Sequence, residues 1–260
     1  MNLQLLISTM HQTDYSLLAK MNVNSDAVVI NQCDVDDRKE IQYKGYRIIW
    51  INTKQRGLSA SRNMAIRNAT ADICVLADDD EEFLDEYEQV IKDSFNENRR
   101  CSVIRFQVRG INKQFKKYPN KSIKIGYLLA LKVSSVEIAF IRKDIVQNNI
   151  LFDELLGSGT KYMMGEENVF LFNCLSNNLK IVFVPKAIAN IYIGASSWFN
   201  GYNKEYFIGR GASFAAMSRR FSLPLIFQFS IRKYRLFRNE TAFFESIIYM
   251  LKGRRQYLNK

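Results

Sequence analysis

The chain has 260 residues, 47% of them hydrophobic and 24% charged, and a formal net charge of +11 at pH 7. This composition excludes a disordered chain, and the length suits one α/β domain with an appendage or two small domains, of which one main domain is the simplest interpretation. A single histidine, His11, argues against His-rich zinc sites and Ser-His triads. Four widely separated cysteines without a CxxC pair are typical of reduced thiols in a cytoplasmic protein.

The first half of the chain alternates apolar runs typical of strands with segments typical of helices. The first run, residues 3–7, lacks a basic flank and predicts a strand rather than a signal peptide. Strands are predicted at residues 3–8, 27–31, 47–52, 72–77 and 102–108. Helices are predicted at residues 59–70, with Ser59 or Ser61 as N-cap, and around residues 84–95. This order predicts a mostly parallel sheet flanked by helices, with ligands outside the carboxyl ends of its strands.

Three consecutive carboxylates, Asp78, Asp79 and Asp80, follow the apolar run 73–77. Continued strand geometry would place Asp78 and Asp80 on one side of the strand and Asp79 on the other. Carboxylates crowded at a strand end repel one another, and Mg²⁺ or Mn²⁺, which shares oxygen ligands with substrate phosphates, relieves that repulsion. The alternative is a solvated acidic turn, because Glu81 and later acidic residues continue the charge into the next helix.

The second half is less regular. Residues 110–131 predict a loop or short hairpin, residues 136–142 and 180–185 predict strands, and a helix is predicted to begin near Glu166 or Glu167. Residues 152–165 contain three glycines and predict a flexible active-site loop.

Two segments of the chain resemble the GT-A-fold glycosyltransferases, specifically the inverting family 2 enzymes that build bacterial surface polysaccharides. Residues 57–63 read GLSASRN, similar to the family's G-x-S-x-A-R-N helix start, and residues 71–80 read ADICVLADDD, similar to the strand that leads to its DxD motif. Residues 165–168 read GEEN, which looks like the later G-E-D segment that supplies the catalytic base. The resemblance covers the first hundred or so residues best.

This resemblance implies a metal-dependent, inverting transfer of a sugar from a nucleoside diphosphate donor to an acceptor hydroxyl. Asp78 and Asp80 would bind Mn²⁺ or Mg²⁺, which neutralises charge on the leaving diphosphate, and Asp79 would reach ribose hydroxyls. Arg62 and the helix start before it would contact a phosphate. Arg62 can otherwise be a surface arginine beside an N-cap serine.

The predicted base is Glu167, with Glu166 in reserve, because inversion needs a carboxylate that takes a proton from the acceptor hydroxyl. The family has Asp at the position matching Glu167, so this chain departs by one methylene. Both glutamates can otherwise simply complement the N-terminus of their helix.

Three further residues are candidates for substrate contacts. Thr9 matches the family's turn after the first strand, although the proline of that turn is absent. Gln32 stands where the family's Asp reads the base, and its amide offers a donor and an acceptor to uracil, which favours a UDP-sugar. Gln32 can also be an ordinary strand-end residue. Trp198 is a candidate acceptor platform because sugars present C–H faces to aromatic rings, or it belongs to the core.

Residues 210–260 contain eleven Lys and Arg against two Glu, which is +9 of the net +11. Apolar residues are mixed with them in stretches too short to span a bilayer. The pattern predicts a helical basic extension that attaches a cytoplasmic enzyme to the anionic inner face of the cell membrane, near a lipid-linked saccharide acceptor. The alternative is helices packed on the catalytic domain with a solvated basic face.

The predicted organisation is a nucleotide-sugar-binding half at residues 1–110, an acceptor-binding half at residues 111–209 and the basic segment at residues 210–260. A phosphoryl or nucleotidyl transferase with two metals is an alternative, but it would carry a Gly-rich loop near the first strand, and residues 8–20 contain no glycine. A non-enzymatic basic module that binds membrane or nucleic acid leaves the three aspartates unexplained, and no nucleic-acid partner is expected.

Overall fold

The computed structural model describes residues 1–194 and 199–260. In chain order the strands are β1 (Leu3–Met10), β2 (Asp26–Gln32), β3 (Asp37–Tyr43), β4 (Tyr46–Thr53), β5 (Ile73–Asp78), β6 (Glu81–Phe83), β7 (Val103–Gly110), β8 (Ile123–Ile125), β9 (Ile138–Ile141) and β10 (Ile181–Ile191). The helices are α1 (Ser16–Lys20), α2 (Leu58–Asn68), α3 (Tyr87–Glu97), α4 (Tyr127–Ala130), α5 (Arg142–Gln147), α6 (Glu166–Ser176), α7 (Lys204–Met217), α8 (Ser222–Phe237) and α9 (Phe243–Leu258), and Ser135–Glu137 form a 3₁₀ turn.

The chain divides into two compact units. The first comprises Met1–Arg56, Ala60–Leu151 and Cys174–Gly194, and the second comprises Gly57–Ser59, Phe152–Asn173 and the described part of residues 195–260. Helices α2 and α6 each contribute residues to both units. The predicted boundaries at residues 110 and 209 separate a donor-binding half, an acceptor-binding half and a basic segment. This functional division stays a prediction.

The first unit is built on a mixed sheet in the order β3-β4-β2-β1-β5-β9-β7-β10-β6, with β8 paired to β10. Strands β4, β2, β1 and β5 run parallel, as predicted, and their apolar residues are buried on both faces of the sheet. Helices α1 and α3 pack their apolar residues into the same core. The predicted α/β class with a sheet flanked by helices is confirmed.

The parallel register brings the carboxyl ends of neighbouring strands to one edge of the sheet. Ser8 of β1 lies opposite Asp78 of β5, and Thr9 lies opposite Asn31 of β2. The candidate polar residues at the ends of these strands are therefore neighbours.

Strands β3 and β9 differ from the sequence-based expectation, and β10 is longer than expected. Residues 136–142 do not form one strand, because they start in the 3₁₀ turn and only β9 pairs, antiparallel, with β5 and β7. Strand β3 was not predicted, and neither was the hairpin that it forms with the predicted strand β4. The hairpin closes through Lys44 and Gly45, whose φ angles of +51° and +85° suit a two-residue hairpin turn.

The second unit contains the three C-terminal helices, and the predicted helical extension is confirmed. A Cβ on Gly211 of α7 would overlap the carbonyl oxygen of Met250 in α9, and a Cβ on Gly253 would overlap that of Ile208. The two helix backbones are therefore in direct contact, which only glycine permits at these positions. Across the described residues, none of the helices combines the length and the apolar character needed to cross a bilayer. All four cysteines are free.

Candidate active site

The three aspartates lie where the chain leaves the sheet. Asp78 is the last residue of β5, whereas Asp79 and Asp80 form the turn that leads into β6. The predicted alternation of their side chains is wrong, because the strand ends at Asp78 and strand geometry no longer applies to the next two residues.

Asp78 is held by two residues from elsewhere in the first unit. The Nη2 of Arg62 donates to both carboxylate oxygens, at 2.9 and 3.2 Å, and the Oγ of Ser135 donates to Oδ2 at 3.3 Å. Arg62 is only 1% exposed. The structure thus favours a role in which Arg62 fixes and neutralises Asp78, and the predicted phosphate contact of Arg62 stays a prediction. Ser135 carried no signal in the sequence.

Asp79 lies beside Thr9, and the predicted nucleotide-binding role of both residues stays a prediction. The Oγ1 of Thr9 donates to Oδ2 of Asp79 at 2.6 Å, and the Nε2 of Gln12 donates to Thr9 at 3.0 Å. The Nζ of Lys20 donates to the backbone oxygen of Asp79 at 3.1 Å. These bonds fix the position of the turn against the end of β1.

Asp80 is the most exposed of the three aspartates. Local desolvation of its carboxyl raises the pKa of Asp80, and the charges of Asp78 and Asp79 raise it further. A raised pKa of this origin marks a carboxylate with too little positive charge nearby.

Glu81, which the sequence suggested was part of an acidic turn, is 1% exposed. Its Oε2 accepts the N–H of Asp78 at 2.8 Å, and its Oε1 has no hydrogen-bond partner among the described residues. Burial, followed by the charge of Asp78, raises the pKa of Glu81 well above its usual value. The signal for Glu81 was the alternation of β6, in which Glu81 and Phe83 point inward while Glu82 is exposed.

The carboxylates have the chemistry of a site for a hard cation but do not form a complete site. In residues 1–194 and 199–260, no three His, Cys, Asp or Glu side chains gather into a metal-binding group. Asp78 is already held by Arg62, and Asp79 by Thr9. A cation beside Asp80 would offset the negative charges that raise its pKa. These oxygen donors therefore fit Mg²⁺ or Mn²⁺ that takes its other ligands from a substrate.

The ends of β1 and β2 are joined by a network that the sequence analysis missed. Asn31 accepts the N–H of Gln12 at 3.0 Å and donates to the backbone oxygen of Gln12 and to Asn52. His11 takes a positive φ of +55° in this turn, and its N–H donates to the backbone oxygen of Gln32. The side chain of Gln32 is buried. Its predicted contact with a nucleotide base stays a prediction.

In the second unit, the start of α2 contacts the loop at residues 152–165. The N–H of Leu58 donates to the oxygen of Ser158 at 3.0 Å, and the Oγ of Ser59 donates to the oxygen of Leu156 at 2.6 Å. The helix begins at Leu58, so the predicted serine N-cap is wrong. Ser61 instead donates to Ser8 within the first unit.

Glu166 and Glu167 are the first two residues of α6, as predicted. Glu166 is 7% exposed, and Glu167 is more accessible. Gly157, with φ of +102°, packs so closely that an added Cβ would lie 3.2 Å from both Cδ of Glu166 and Oγ of Ser59. This packing favours Glu167 as the carboxylate that meets an acceptor. Trp198 lies outside the described residues.

Comparison with known proteins decides the family. Residues 8–157 match the family model described as Glycosyl transferase family 2. The chain belongs to glycosyltransferase family 2. The predicted family and the predicted enzyme class are thereby confirmed.

Solved structures of TarS from S. aureus have a similar fold. TarS 1–349 in complex with UDP-GlcNAc matches with a TM-score of 0.64 and 15% identity, over 92% of this chain and 74% of that one. The complex of TarS 1–349 with UDP gives 0.62 and 15%, with the same coverage. TarS 1–349 without a stated ligand gives 0.61 and 13%, over 100% of this chain and 92% of that one. A search of curated proteins finds no match.

Proposed function

We propose that this family 2 glycosyltransferase is an inverting enzyme that uses a UDP-sugar together with Mn²⁺ or Mg²⁺. The observation that carries the proposal is the group of strand-end carboxylates, in which Asp80 has a raised pKa and Asp78 and Asp79 are each fixed by a hydrogen-bonding partner. The TarS structures with UDP-GlcNAc and UDP support a uridine donor, although at 15% identity they share the fold alone.

The donor is handled by residues at the carboxyl ends of β1 and β5. Thr9 and Asp79 bind the nucleoside part, while Arg62 keeps the carboxylate of Asp78 correctly oriented. A bound cation would be held by Asp80 and Asp78 and would supply charge neutralisation at the leaving diphosphate. Gln32 remains the proposed base reader.

Glu167 accepts the proton of the acceptor hydroxyl as that oxygen attacks the sugar. Glu166, buried behind it against Gly157, keeps the start of α6 in place. Trp198 is the proposed platform for the acceptor sugar.

The proposed acceptor is a lipid-linked saccharide, and the protein would reach it by attaching to the inner face of the cell membrane. The supporting observation is an apolar face on α8 and α9, called here the C-terminal apolar face. Its exposed members are Leu223, Phe227, Ile231, Phe244 and Ile248.

Their spacing of four residues places each set on one side of its helix. Arg235 and Arg238 continue that side after Ile231, and Lys252 and Arg255 continue it after Ile248. Helix α8 contains no acidic residue. Apolar side chains with basic residues beside them suit an anionic headgroup layer.

Membership in family 2 argues against the nucleotidyl transferase and against the non-enzymatic basic module.

The finer proposal of a uridine donor and a divalent cation has a direct test. The apparent melting temperature is measured with UDP, ADP, GDP and CDP, each with and without Mn²⁺. A ligand that binds only the native state raises it by mass action. We expect UDP with Mn²⁺ to give the largest rise. If UDP raises the melting temperature equally with and without Mn²⁺, the proposed metal dependence is wrong. If UDP stabilises the protein no more than the other nucleotides, the proposed uridine donor is wrong.

A further inference from the structure

The end of α9 contacts the segment that leads to the proposed base. This segment, residues 152–165, is called here the base loop. Asp153 of the base loop accepts the hydroxyl of Tyr257 and, at 3.0 Å, the Nζ of Lys260. The Nζ of Lys260 also lies 3.9 Å from the ring centre of Tyr257. Three side chains thus form one compact cluster, called here the C-terminal clamp.

The cluster is ordered by charge-assisted bonds. Burial raises the pKa of Asp153, but the bonds from Tyr257, the N–H of Leu155 and Lys260 outweigh it, and the net pKa is lowered. Burial and the bond to Asp153 raise the pKa of Tyr257. At neutral pH the carboxylate is ionised and the phenol keeps its proton, which is the pairing that makes a strong hydrogen bond.

Backbone bonds carry this constraint from Asp153 to Glu166. The N–H of Leu156 donates to the oxygen of Asp153 at 2.9 Å, and the N–H of Gly157 donates to the oxygen of Tyr162 at 2.9 Å. Gly157 then packs directly on Glu166. The ring of Tyr162 lies 6.3 Å from that of Tyr257, so the clamp contacts the loop at two points.

We propose that Tyr257 and Lys260 are positioning residues for sugar transfer, because by holding Asp153 they keep the base loop packed against Glu166 and leave Glu167 correctly placed. The proposal rests on the role of Glu167 in the proposed function. Asp153, Tyr257 and Lys260 all belong to the second unit, as do the base loop and Glu167, so the clamp is expected to act on the base.

The test compares Tyr257→Phe and Lys260→Met with the control Tyr249→Phe, which alters a tyrosine of the same helix outside the clamp. We expect kcat to fall about tenfold in both clamp variants while KM for the UDP-sugar changes less than about twofold, because only the base loses its support. Lys260→Arg, which keeps the charge, should restore most of kcat.

Limited trypsin digestion gives a second readout that does not need activity. Lys161 is an exposed residue of the base loop, and we expect the chain to be cut after it faster in both clamp variants than in wild type and Tyr249→Phe. Unchanged kcat together with unchanged cleavage overturns the proposal. So does an equal loss of kcat in Tyr249→Phe. If Glu167→Gln keeps full transfer, the proposed base is wrong, yet the cleavage rates still decide whether the clamp holds the loop.

Discussion

Asp80 and Glu81 are neighbours in the chain, but their carboxyl groups are in opposite surroundings. Asp80 is exposed, and its pKa is raised by local desolvation and by the charges of Asp78 and Asp79. Glu81 is buried and bonded to the N–H of Asp78, so it shapes the turn. Of two neighbouring carboxyl groups, one is therefore open to solvent and the other is bonded to the backbone.

Replacing Asp80 by Ala should remove metal-dependent donor binding and leave the fold intact, because an exposed strand-end carboxylate contributes little packing. The measurement is the UDP affinity with and without Mn²⁺ by calorimetry, with unfolding followed in parallel. Asp93→Ala, which removes a carboxylate from α3, is the matched control. An Asp80→Ala protein that still binds UDP more tightly with Mn²⁺ would rule out this metal ligand.

Glu167→Gln should bind donor like wild type and lose transfer by at least about a hundredfold, because it keeps its shape and loses the proton acceptor. Glu166→Gln should keep most activity, since Glu166 is buried against Gly157. Single-turnover rates and donor affinities of both variants provide the check. If Glu166→Gln is inactive and Glu167→Gln is active, the base is Glu166 and not Glu167.

Part of the site could be predicted from the sequence because local spacing encodes it. The aspartates after an apolar run and the glutamates at a helix start are local patterns, and both occur where expected. Ser135 could not be found in this way, because its role depends on a bond to the distant Asp78. For Glu81 the alternation of β6 is a local signal, but its burial depends on the pairing of β6 with the distant β10.

At the scale of elements, the contact of α7 with α9 is the tightest constraint in the second unit. Gly211→Val should destabilise the protein by about 1–3 kcal/mol, because its side chain would separate the two backbones. The urea midpoint of unfolding, compared with that of wild type, measures this loss of stability. Gly126→Ala, where an added Cβ meets nothing within 4 Å, should change stability by less than about 0.5 kcal/mol. Equal midpoints for the two variants would contradict the close contact.

The elements with a clear apolar periodicity were predicted. The others were missed, and each miss has a physical reason. Strand β3 is an exposed edge of charged residues, so it lacks the apolar alternation of a strand. Strand β10 was predicted to end at residue 185 but continues to Ile191. Pro185 has no N–H for the ladder, and the register of β10 shifts between Phe183 and Ala187, which accommodates it.

At the scale of the whole molecule, residues 210–260 carry +9 of the net charge of +11 and also contain the C-terminal apolar face. The double variant Phe227→Ser with Ile231→Ser should lower co-sedimentation with anionic vesicles about tenfold, because it removes inserted apolar area. Leu128→Ser, at another exposed apolar residue, is the control. High salt should weaken wild-type binding.

Point substitutions are preferable here to a chain that ends near Met217. Such a truncation would remove α9 and uncover the face of α7 that contacts it. Vesicle binding that is equal in the double variant and in wild type would remove the membrane role of the face. A change from dimer to monomer on light scattering would assign it to self-association instead.

Strand β10 has a consequence for how the chain is made. It pairs with three strands, β6, β7 and β8. All three are synthesised before β10. Until β10 emerges from the ribosome, those strands have unpaired edges that can bind other nascent chains. We expect ribosome-bound chains that stop before residue 181 to remain sensitive to protease in the first unit, and chains that expose residue 191 to become resistant. Resistance in the shorter chains would show that the sheet forms without its last strand.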